Sequence, residues 1–236
     1  AWGVLLFVAF LAATGRAARN AHRYAIAPDR LWDSALIGLL GGVLGGRLAY
    51  VAQRLSHFAA HPAEILALWT GGMTSFGGFL GGIAAGLWAA RRRGLNLADT
   101  ADLAAVSLPI GYGIGRVGCF LNGCCYGARC DLPWAVHFHP DGVDTGAVHP
   151  AQLYSVAASL VLYAVLLRLE RRRAFPGQLL LAFAILYGLY RFLVEFVREG
   201  ATAEVLAAGL TTGQIASLVV SGIGTLFYVR AARRKG

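Results

Sequence analysis

The chain has 236 residues, of which 57% are hydrophobic and only 14% are charged, against roughly 25% charged in an average soluble domain. This composition excludes an ordinary water-soluble domain. The net charge of +9 does not indicate a nucleic-acid-binding protein, because most basic residues flank apolar segments and so indicate membrane topology.

Apolar blocks of about 20 residues recur along the chain, and each block is long enough to cross a hydrocarbon core of about 30 Å as a helix. We therefore predict an all-α integral membrane protein, a bundle of about seven transmembrane helices in a single polytopic domain, residues 1–236. The predicted spans are 2–14, 31–53, 70–90, 103–123, 152–167, 177–197 and 213–229.

The first apolar block is short, and a signal peptide is the alternative interpretation. A signal peptide has basic residues before its apolar run, whereas Arg16, Arg19 and Arg23 follow this one. We therefore expect a membrane span here.

Basic residues are distributed unequally between the two sides of the predicted bundle. Of the 21 basic residues, 15 follow spans one, three, five and seven, whereas Arg54, Arg129 and Arg198 flank the opposite ends. By the positive-inside rule, we predict an N-terminus outside and a cytoplasmic C-terminus. Residues 126–148 then form the main outer (periplasmic or extracellular) loop.

Three arginines lie inside predicted spans: Arg47, Arg116 and Arg191, each roughly two thirds of the way towards the outer side. An arginine at the bilayer centre costs about 2.5–3.5 kcal/mol on insertion scales, so each needs a partner or water. One interpretation is structural: each arginine caps carbonyls or pairs with a carboxylate, as Arg191 can with Glu195 at i+4. The other is an anionic ligand such as a lipid phosphate, which matches the guanidinium geometry.

Glycines recur at helical spacing in spans two and three. Small residues four apart allow helix backbones to approach closely, and next to Arg47 they also suggest a groove for a lipid-sized ligand. Both interpretations stay open. The glycines are Gly41, Gly42, Gly45 and Gly46 in span two, and Gly71, Gly72, Gly77, Gly78, Gly81 and Gly82 in span three.

All four cysteines, Cys119, Cys124, Cys125 and Cys130, fall within twelve residues. A structural zinc site is disfavoured because the CxxC pair is missing, so we expect no metal. A disulfide from Cys130 to Cys124 or Cys125 is a second interpretation, typical of an oxidising outer face. A reactive thiol is the third, because Arg116 would lower a nearby thiol pKa.

His149 begins the segment HPAQLY on the same predicted side as the cysteines. It is a candidate general base, because histidine titrates near neutral pH. It could equally hydrogen-bond a loop. His137 and His139 are weaker candidates for the base.

Several segments together resemble the bacterial prolipoprotein diacylglyceryl transferase family, and they cover most of the chain. The glycine-arginine and cysteine-containing segments carry the most specific likeness. The matching segments are GGRLAY at 45–50, GMTSFGGFLGG at 72–82, GRVGCFLNGCCYG at 115–127, HPAQLY at 149–154, YGLYRFLVEFVRE at 187–199 and LTTGQIASL at 210–218.

The resemblance implies a multi-pass protein of the bacterial cytoplasmic (inner) membrane. It implies transfer of the diacylglyceryl group of phosphatidylglycerol to the thiol of a lipobox cysteine in the signal peptide of a prolipoprotein. The sequence itself contains no soluble cofactor motif, and its basic residues flank spans, so we expect no cofactor and no nucleic acid, with membrane lipid as a further partner. By the same resemblance Arg116 and Arg191 hold the phosphate, Glu195 matches the family's acidic residue, and Asn122 and Gly127 match its signature. Arg47, Gly77 and Gly78 are further candidates for substrate binding.

The sequence departs from the family pattern at three positions. Cys119 and Cys124 stand where the family usually has asparagine and glutamate, and Phe76 stands where it usually has histidine. Either His149 or Tyr50 then serves as the base, or this is a divergent branch. The alternatives are a related membrane lipid transferase that uses its own cysteines on a different acceptor, and a non-catalytic phospholipid-binding membrane protein.

Overall fold

The fold is described from a computed structural model for residues 2–67, 71–198, 205–207 and 209–234. These residues form eight α-helices and one two-stranded antiparallel sheet. The helices are α1 Trp2–Asn20, α2 Pro28–Gln53, α3 Leu55–Ala60, α4 Ser75–Arg92, α5 Leu97–Leu121, α6 Ala151–Glu170, α7 Gln178–Val194 and α8 Thr212–Arg233. Four 3-10 segments are Ala21–Tyr24, Pro62–Leu66, Pro140–Gly142 and Glu195–Val197, and the strands are β1 Val205–Ala207 and β2 Leu210–Thr211.

The predicted all-α membrane fold is confirmed. Six helical segments among the described residues are long and apolar enough to cross a membrane, namely those containing α1, α2, α5, α6, α7 and α8. The third predicted span contains α4, which is not among them because five glycines and two terminal arginines lower its hydropathy. The orientation of the termini stays a prediction.

The chain divides into two compact units. Residues 18–100 form one unit, and residues 1–17 together with 101–236 form the other. The single polytopic domain over residues 1–236 stays a prediction.

In the unit of residues 18–100, helices α2 and α4 pack backbone to backbone through glycines. A Cβ added at Gly41 would lie 2.8 Å from the Gly81 carbonyl oxygen, and one added at Gly45 would lie 2.9 Å from Gly81 Cα. Only glycine permits such an approach, so the predicted close packing is confirmed. Gly77 and Gly78 belong to the same contact surface, facing α2, which gives them a packing role, and their role in substrate binding stays a prediction.

In the other unit, the buried carboxylate of Asp102 ties α5 to the start of α7. Asp102 is fully buried and accepts hydrogen bonds from Arg173 Nε at 2.7 Å and from the backbone N–H groups of Gly177 and Leu180 at 2.8 Å each. These bonds satisfy donors at the helix N-terminus that have no partner within the helix. The turn before α7 is thereby fixed against α5.

The predicted outer loop, residues 126–148, is non-helical apart from the turn Pro140–Gly142. Short backbone bridges order it, including Arg129 to Val148 and Val136 to Val148. A further bridge joins Gly127 to Arg198, beyond the end of α7. The start of the loop is therefore bonded to the end of the loop and to the segment that follows α7, and the membrane side of the loop stays a prediction.

Candidate active site

Arg116 lies within α5, partly buried, with its guanidinium carbon 4.8 Å from the centroid of the Tyr112 ring. Such stacking stabilises a cation without neutralising it. Among the residues that the structure describes, no carboxylate forms an ion pair with Arg116. A positive charge on a membrane helix is therefore available to an anion.

Tyrosines from α5 and α7 surround this arginine. The Tyr112 and Tyr190 hydroxyl oxygens are 3.4 Å apart, and the Tyr190 hydroxyl donates to Ser155 Oγ on α6 at 2.5 Å. The Tyr187 ring lies edge-on to Tyr112, with centroids 5.7 Å apart. Sequence reasoning missed these tyrosines, although Tyr187 and Tyr190 share one helix face three residues apart in the segment YGLYR.

Arg191 and Glu195 form the ion pair that their spacing predicted. The Arg191 Nη1 group donates to Glu195 Oε2, and the carboxylate side chain is fully buried whereas that of Arg191 is 17% exposed. Thr211, the N-cap of α8, donates to Glu195 Oε1 at 3.3 Å, and a Cβ added at Gly213 would collide with that carboxylate. The start of α8 thus holds Glu195, which in turn orients Arg191.

The two arginines that resemble the family's phosphate ligands belong to the same unit. Both guanidinium groups lie within electrostatic range of Tyr187. The structure therefore brings Arg116 and Arg191 to the same tyrosine-lined region of the helices.

Three of the four cysteines converge beside this region. The sulfur atoms of Cys119, Cys124 and Cys125, hereafter the thiol cluster, all lie within 4.8 Å of one another. The Cys125 thiol donates to Cys124 Sγ at 3.6 Å. Cys130 is not a member, and all four cysteines are free thiols, so the interpretation of a disulfide between Cys130 and Cys124 or Cys125 is wrong for this structure.

The two thiols beyond the end of α5 have opposite acidities. Burial raises the pKa of Cys124. For Cys125, hydrogen bonding with Cys119 and Cys124, together with the charges of Arg116 and Arg198, lowers the pKa to about 5. Cys125 is therefore the more acidic of these two thiols, and such an environment favours cysteine reactivity.

The signature residues around the thiol cluster have mainly positioning contacts. The fully buried Gln152 donates from Nε2 to the Cys124 carbonyl at 2.7 Å. The Gly127 N–H donates to the His149 carbonyl at 2.9 Å, and a Cβ at Gly127 would collide with the Val197 carbonyl. Asn122 is exposed at the end of α5 and hydrogen-bonds the Cys124 thiol.

His149 Nδ1 lies 3.1 Å from the Tyr154 hydroxyl, and this hydroxyl accepts a hydrogen bond from Trp134 Nε1 at 2.7 Å. Tyr154 lies in α6, so this contact is with a helix residue, and both the loop hydrogen bond and a role as base stay predictions. His137 and His139 lie near the exposed carboxylate of Asp144, at 3.2 Å and 3.9 Å.

In the unit of residues 18–100, Arg47 makes structural contacts. Its side chain is buried, with Nε donating to the Ile65 carbonyl at 2.9 Å, Nη1 to the carbonyls of Gly71 and Gly72, and Nη2 to that of Glu64. This matches the interpretation in which an intramembrane arginine caps carbonyls. Its substrate-binding role stays a prediction.

Tyr50 packs beside Arg47, and both line a cavity of about 340 Å³. The Arg54 guanidinium lies 4.7 Å from the Tyr50 ring centroid, so the cavity wall carries a second positive charge. Phe76, where a histidine was expected from the resemblance, is 74% exposed. A catalytic role for Tyr50 stays a prediction.

These features define a helical multi-pass membrane protein with an arginine available for an anion beside a cluster of thiols. A sequence profile described as prolipoprotein diacylglyceryl transferase matches residues 1–230. The chain belongs to the prolipoprotein diacylglyceryl transferase family, as its motifs suggested.

Three relatives named phosphatidylglycerol–prolipoprotein diacylglyceryl transferase illustrate the similarity. The protein of Geobacter sulfurreducens is 38% identical over 99% of this chain and 91% of its own length. That of Methylobacillus flagellatus is 42% identical over 82% and 76%, and that of Vibrio atlanticus is 38% identical over 99% and 86%. The likeness therefore covers about three quarters or more of the length of each of these proteins.

Proposed function

We propose that this protein transfers the diacylglyceryl group of phosphatidylglycerol to the thiol of a lipobox cysteine in prolipoproteins, in the bacterial cytoplasmic (inner) membrane. The names of its relatives support the two substrates. The single structural observation that carries the proposal is the unneutralised charge of Arg116. This arginine lies in the family signature without a described carboxylate partner, whereas Arg191 is paired with Glu195 and Arg47 is bonded to carbonyls.

The reaction is an alkyl transfer to sulfur. The acceptor thiol loses its proton, the sulfur forms a bond to the glyceryl carbon, and the bond from that carbon to the phosphate oxygen breaks. Glycerol phosphate leaves with the electron pair of the broken bond. The negative charge on the departing oxygen grows in the transition state, so a fixed cation at that oxygen lowers the barrier.

Arg116 and Arg191 have different parts in this proposal. Arg116 binds the phosphate directly, because its charge is not neutralised by a described side chain. Arg191 is held by its ion pair with Glu195, and its side chain is 17% exposed. In this proposal the exposed part of the guanidinium faces the phosphate in a fixed orientation. The buried ion pair limits rotation of the guanidinium, which lowers the reorganisation needed during reaction.

His149 is the proposed acceptor of the thiol proton. It is half-buried, and its Nδ1 is 3.1 Å from the Tyr154 hydroxyl, which fixes the ring orientation. In the tautomer whose Nδ1–H donates to this hydroxyl, Nε2 is free to take the proton. Replacing Tyr154 by phenylalanine removes the positioning contact and tests this role through the pH profile of kcat.

The function is tested with purified protein in lipid nanodiscs, labelled phosphatidylglycerol and a peptide containing a lipobox cysteine. We expect a thioether-linked product with the wild type. Removing one stabiliser of a developing oxyanion typically lowers kcat by about 10²–10³-fold, so Arg116→Ala is expected to lose at least that much. Arg230→Ala, an exposed arginine at the end of α8, is the matched control and keeps the wild-type rate.

An unchanged rate in Arg116→Ala contradicts the assignment of the phosphate site. Binding of phosphatidylglycerol without any product favours the non-catalytic phospholipid-binding alternative. Both outcomes are separable in one assay, because lipid binding and product formation are measured on the same sample.

A second candidate function is transfer to a different acceptor with direct participation of Cys125. The observation that favours it is that Cys125 is a free thiol with a lowered pKa within electrostatic range of Arg116. In that case Cys125→Ser abolishes lipid transfer, and a lipid-modified Cys125 is detected by mass spectrometry. Full transfer to the lipobox peptide by Cys125→Ser excludes it.

A further inference from the structure

The thiol cluster is built by an unusual turn at the end of α5. Cys119 lies in the last turn of the helix, and the Cys124 N–H donates to the Cys119 carbonyl at 3.1 Å, which folds the chain back. Cys125 then adopts φ of 66°, in the left-handed region. A residue other than glycine rarely adopts this conformation, and such strain concentrates at ligand-binding and functional sites.

The turn explains how three thiols meet without a CxxC pair. At the level of sequence, a metal site was disfavoured because the chain lacks a CxxC pair, the spacing that directs two thiolates at one ion in structural zinc sites. Here the left-handed conformation at Cys125 brings two adjacent cysteines onto the same side, facing Cys119. Sequence spacing alone does not reveal this arrangement.

The sulfur separations agree with those of a thiolate-bound ion. With metal–sulfur bonds of about 2.3 Å, tetrahedral geometry places two sulfurs about 3.8 Å apart. Cys124 Sγ and Cys125 Sγ are 3.6 Å apart, and all three sulfurs lie within 4.8 Å of one another. The third sulfur therefore needs to move by no more than about 1 Å, which a side-chain rotation provides.

The thiolate ligands and the nearby positive charges indicate which class of metal ion this site would bind. Thiolate sulfur is a soft donor that selects zinc(II) or copper(I) over magnesium or calcium. Three thiolates with one divalent ion carry a net charge of −1. Arg116 and Arg198 both act electrostatically on Cys125, so cations are in place to offset that charge.

We propose that Cys119, Cys124 and Cys125 together bind one thiophilic metal ion, zinc(II) or copper(I), at the end of α5 beside Arg116. Each thiol loses its proton on binding, and the protons pass to solvent. No electron transfer is involved. The proposal is tested by metal binding, a measurement that does not require the transfer reaction.

The first test uses the wild-type protein, purified metal-free in detergent with a non-thiol reductant. Zinc(II) alone is added in one arm and copper(I) alone in the other, and bound metal is measured after dialysis by elemental mass spectrometry. We expect one equivalent of at least one of these ions. Alkylation followed by peptide mass spectrometry should show that the bound ion protects the thiol cluster, whereas Cys130 reacts equally with and without metal.

Serine variants provide the second test. Changing residues around a metal's ligands costs 10–100-fold in affinity, so losing a ligand in Cys119→Ser or Cys125→Ser is expected to weaken binding by more than about 100-fold. Cys130→Ser is the matched control from the adjacent loop and keeps wild-type affinity. Thermal unfolding of each variant separates loss of the site from loss of the fold.

Three results overturn the proposal. The reduced wild-type protein binds neither ion, or the ion protects Cys130 as strongly as the cluster, or Cys130→Ser weakens binding as much as Cys125→Ser. A disulfide within the cluster that forms readily in air, combined with no metal binding by the reduced protein, identifies a redox-active pair instead.

Discussion

The buried carboxylate of Asp102 provides a sharp test of how the unit of residues 1–17 and 101–236 is held together. Asp102 Oδ2 accepts from Arg173 Nε and from the Gly177 N–H, and Oδ1 accepts from the Leu180 N–H. Asp102→Asn preserves size but removes the charge and one acceptor. The amide oxygen can replace Oδ2, but its NH2 group then faces the Leu180 N–H, so one buried donor loses its partner.

The magnitude follows from these contacts. An unsatisfied buried donor costs about 1–3 kcal/mol, and hydrogen bonds to a charged group contribute about 1.5–3 kcal/mol. We therefore expect Asp102→Asn to lower the free energy of unfolding by about 2–4 kcal/mol. At about 2–4 °C per kcal/mol for a chain of this size, Tm falls by roughly 5–15 °C.

The assay is thermal unfolding of purified protein in detergent, followed by tryptophan fluorescence. Asp33→Asn is the matched control, because Asp33 pairs with Arg93 at 3.2 Å with side chains 50% and 35% exposed. Exposed ion pairs contribute about 0–1 kcal/mol, so its Tm should change by a few degrees at most. Equal shifts in the two variants would refute the argument from burial.

Two further predictions concern the thiol cluster and the glycine contact. Because the pKa of Cys125 is lowered to about 5, metal-free protein should be alkylated at Cys125 about tenfold faster at pH 6 than an ordinary thiol. At pH 6 the thiolate fraction of Cys125 is about 300-fold larger than that of an ordinary thiol with a pKa of about 8.5. The lower nucleophilicity of a more acidic thiol offsets part of this gain. Peptide mass spectrometry measures this rate, which should fall only below about pH 5, and a fall already near pH 8 would contradict it. Gly41→Ala should lower stability by about 1–3 kcal/mol through overpacking, because its Cβ would lie 2.8 Å from the Gly81 carbonyl. Gly222→Ala, whose Cβ meets nothing within 4 Å, is the control: it has the gain of about 0.5–1 kcal/mol in helix propensity without the clash, and should raise Tm slightly.

The membrane fold was predictable because it depends on local composition. Each predicted span contains a long helix, since a block of about 20 apolar residues in lipid must satisfy its own backbone hydrogen bonds. The least apolar span, α4, is also the one whose glycines make a helix contact. The glycines that allow α4 to pack closely against another helix are therefore also the residues that lower its mean hydropathy.

The candidate site was predictable in part. The Arg191–Glu195 pair follows from spacing at i+4 on one helix, a separation fixed by helix geometry. Arg47 was recognised as an intramembrane charge, but its carbonyl partners come from the segment that follows α3. The sequence of this segment has no pattern that indicates that its carbonyls would face Arg47 of α2.

The thiol cluster is the clearest example of a feature whose contacts could not be predicted from the sequence. The membrane class, the family motifs, the helix positions and the concentration of four cysteines in one short segment could be read from the sequence, because these depend on composition and on neighbours along the chain. The folded structure was needed to show that Cys125 turns back to Cys119, that Cys130 lies outside the cluster, and that Arg116 has no described carboxylate partner. The physical reason is that such contacts depend on backbone conformation at single residues and on packing between elements distant in sequence, which local patterns do not specify.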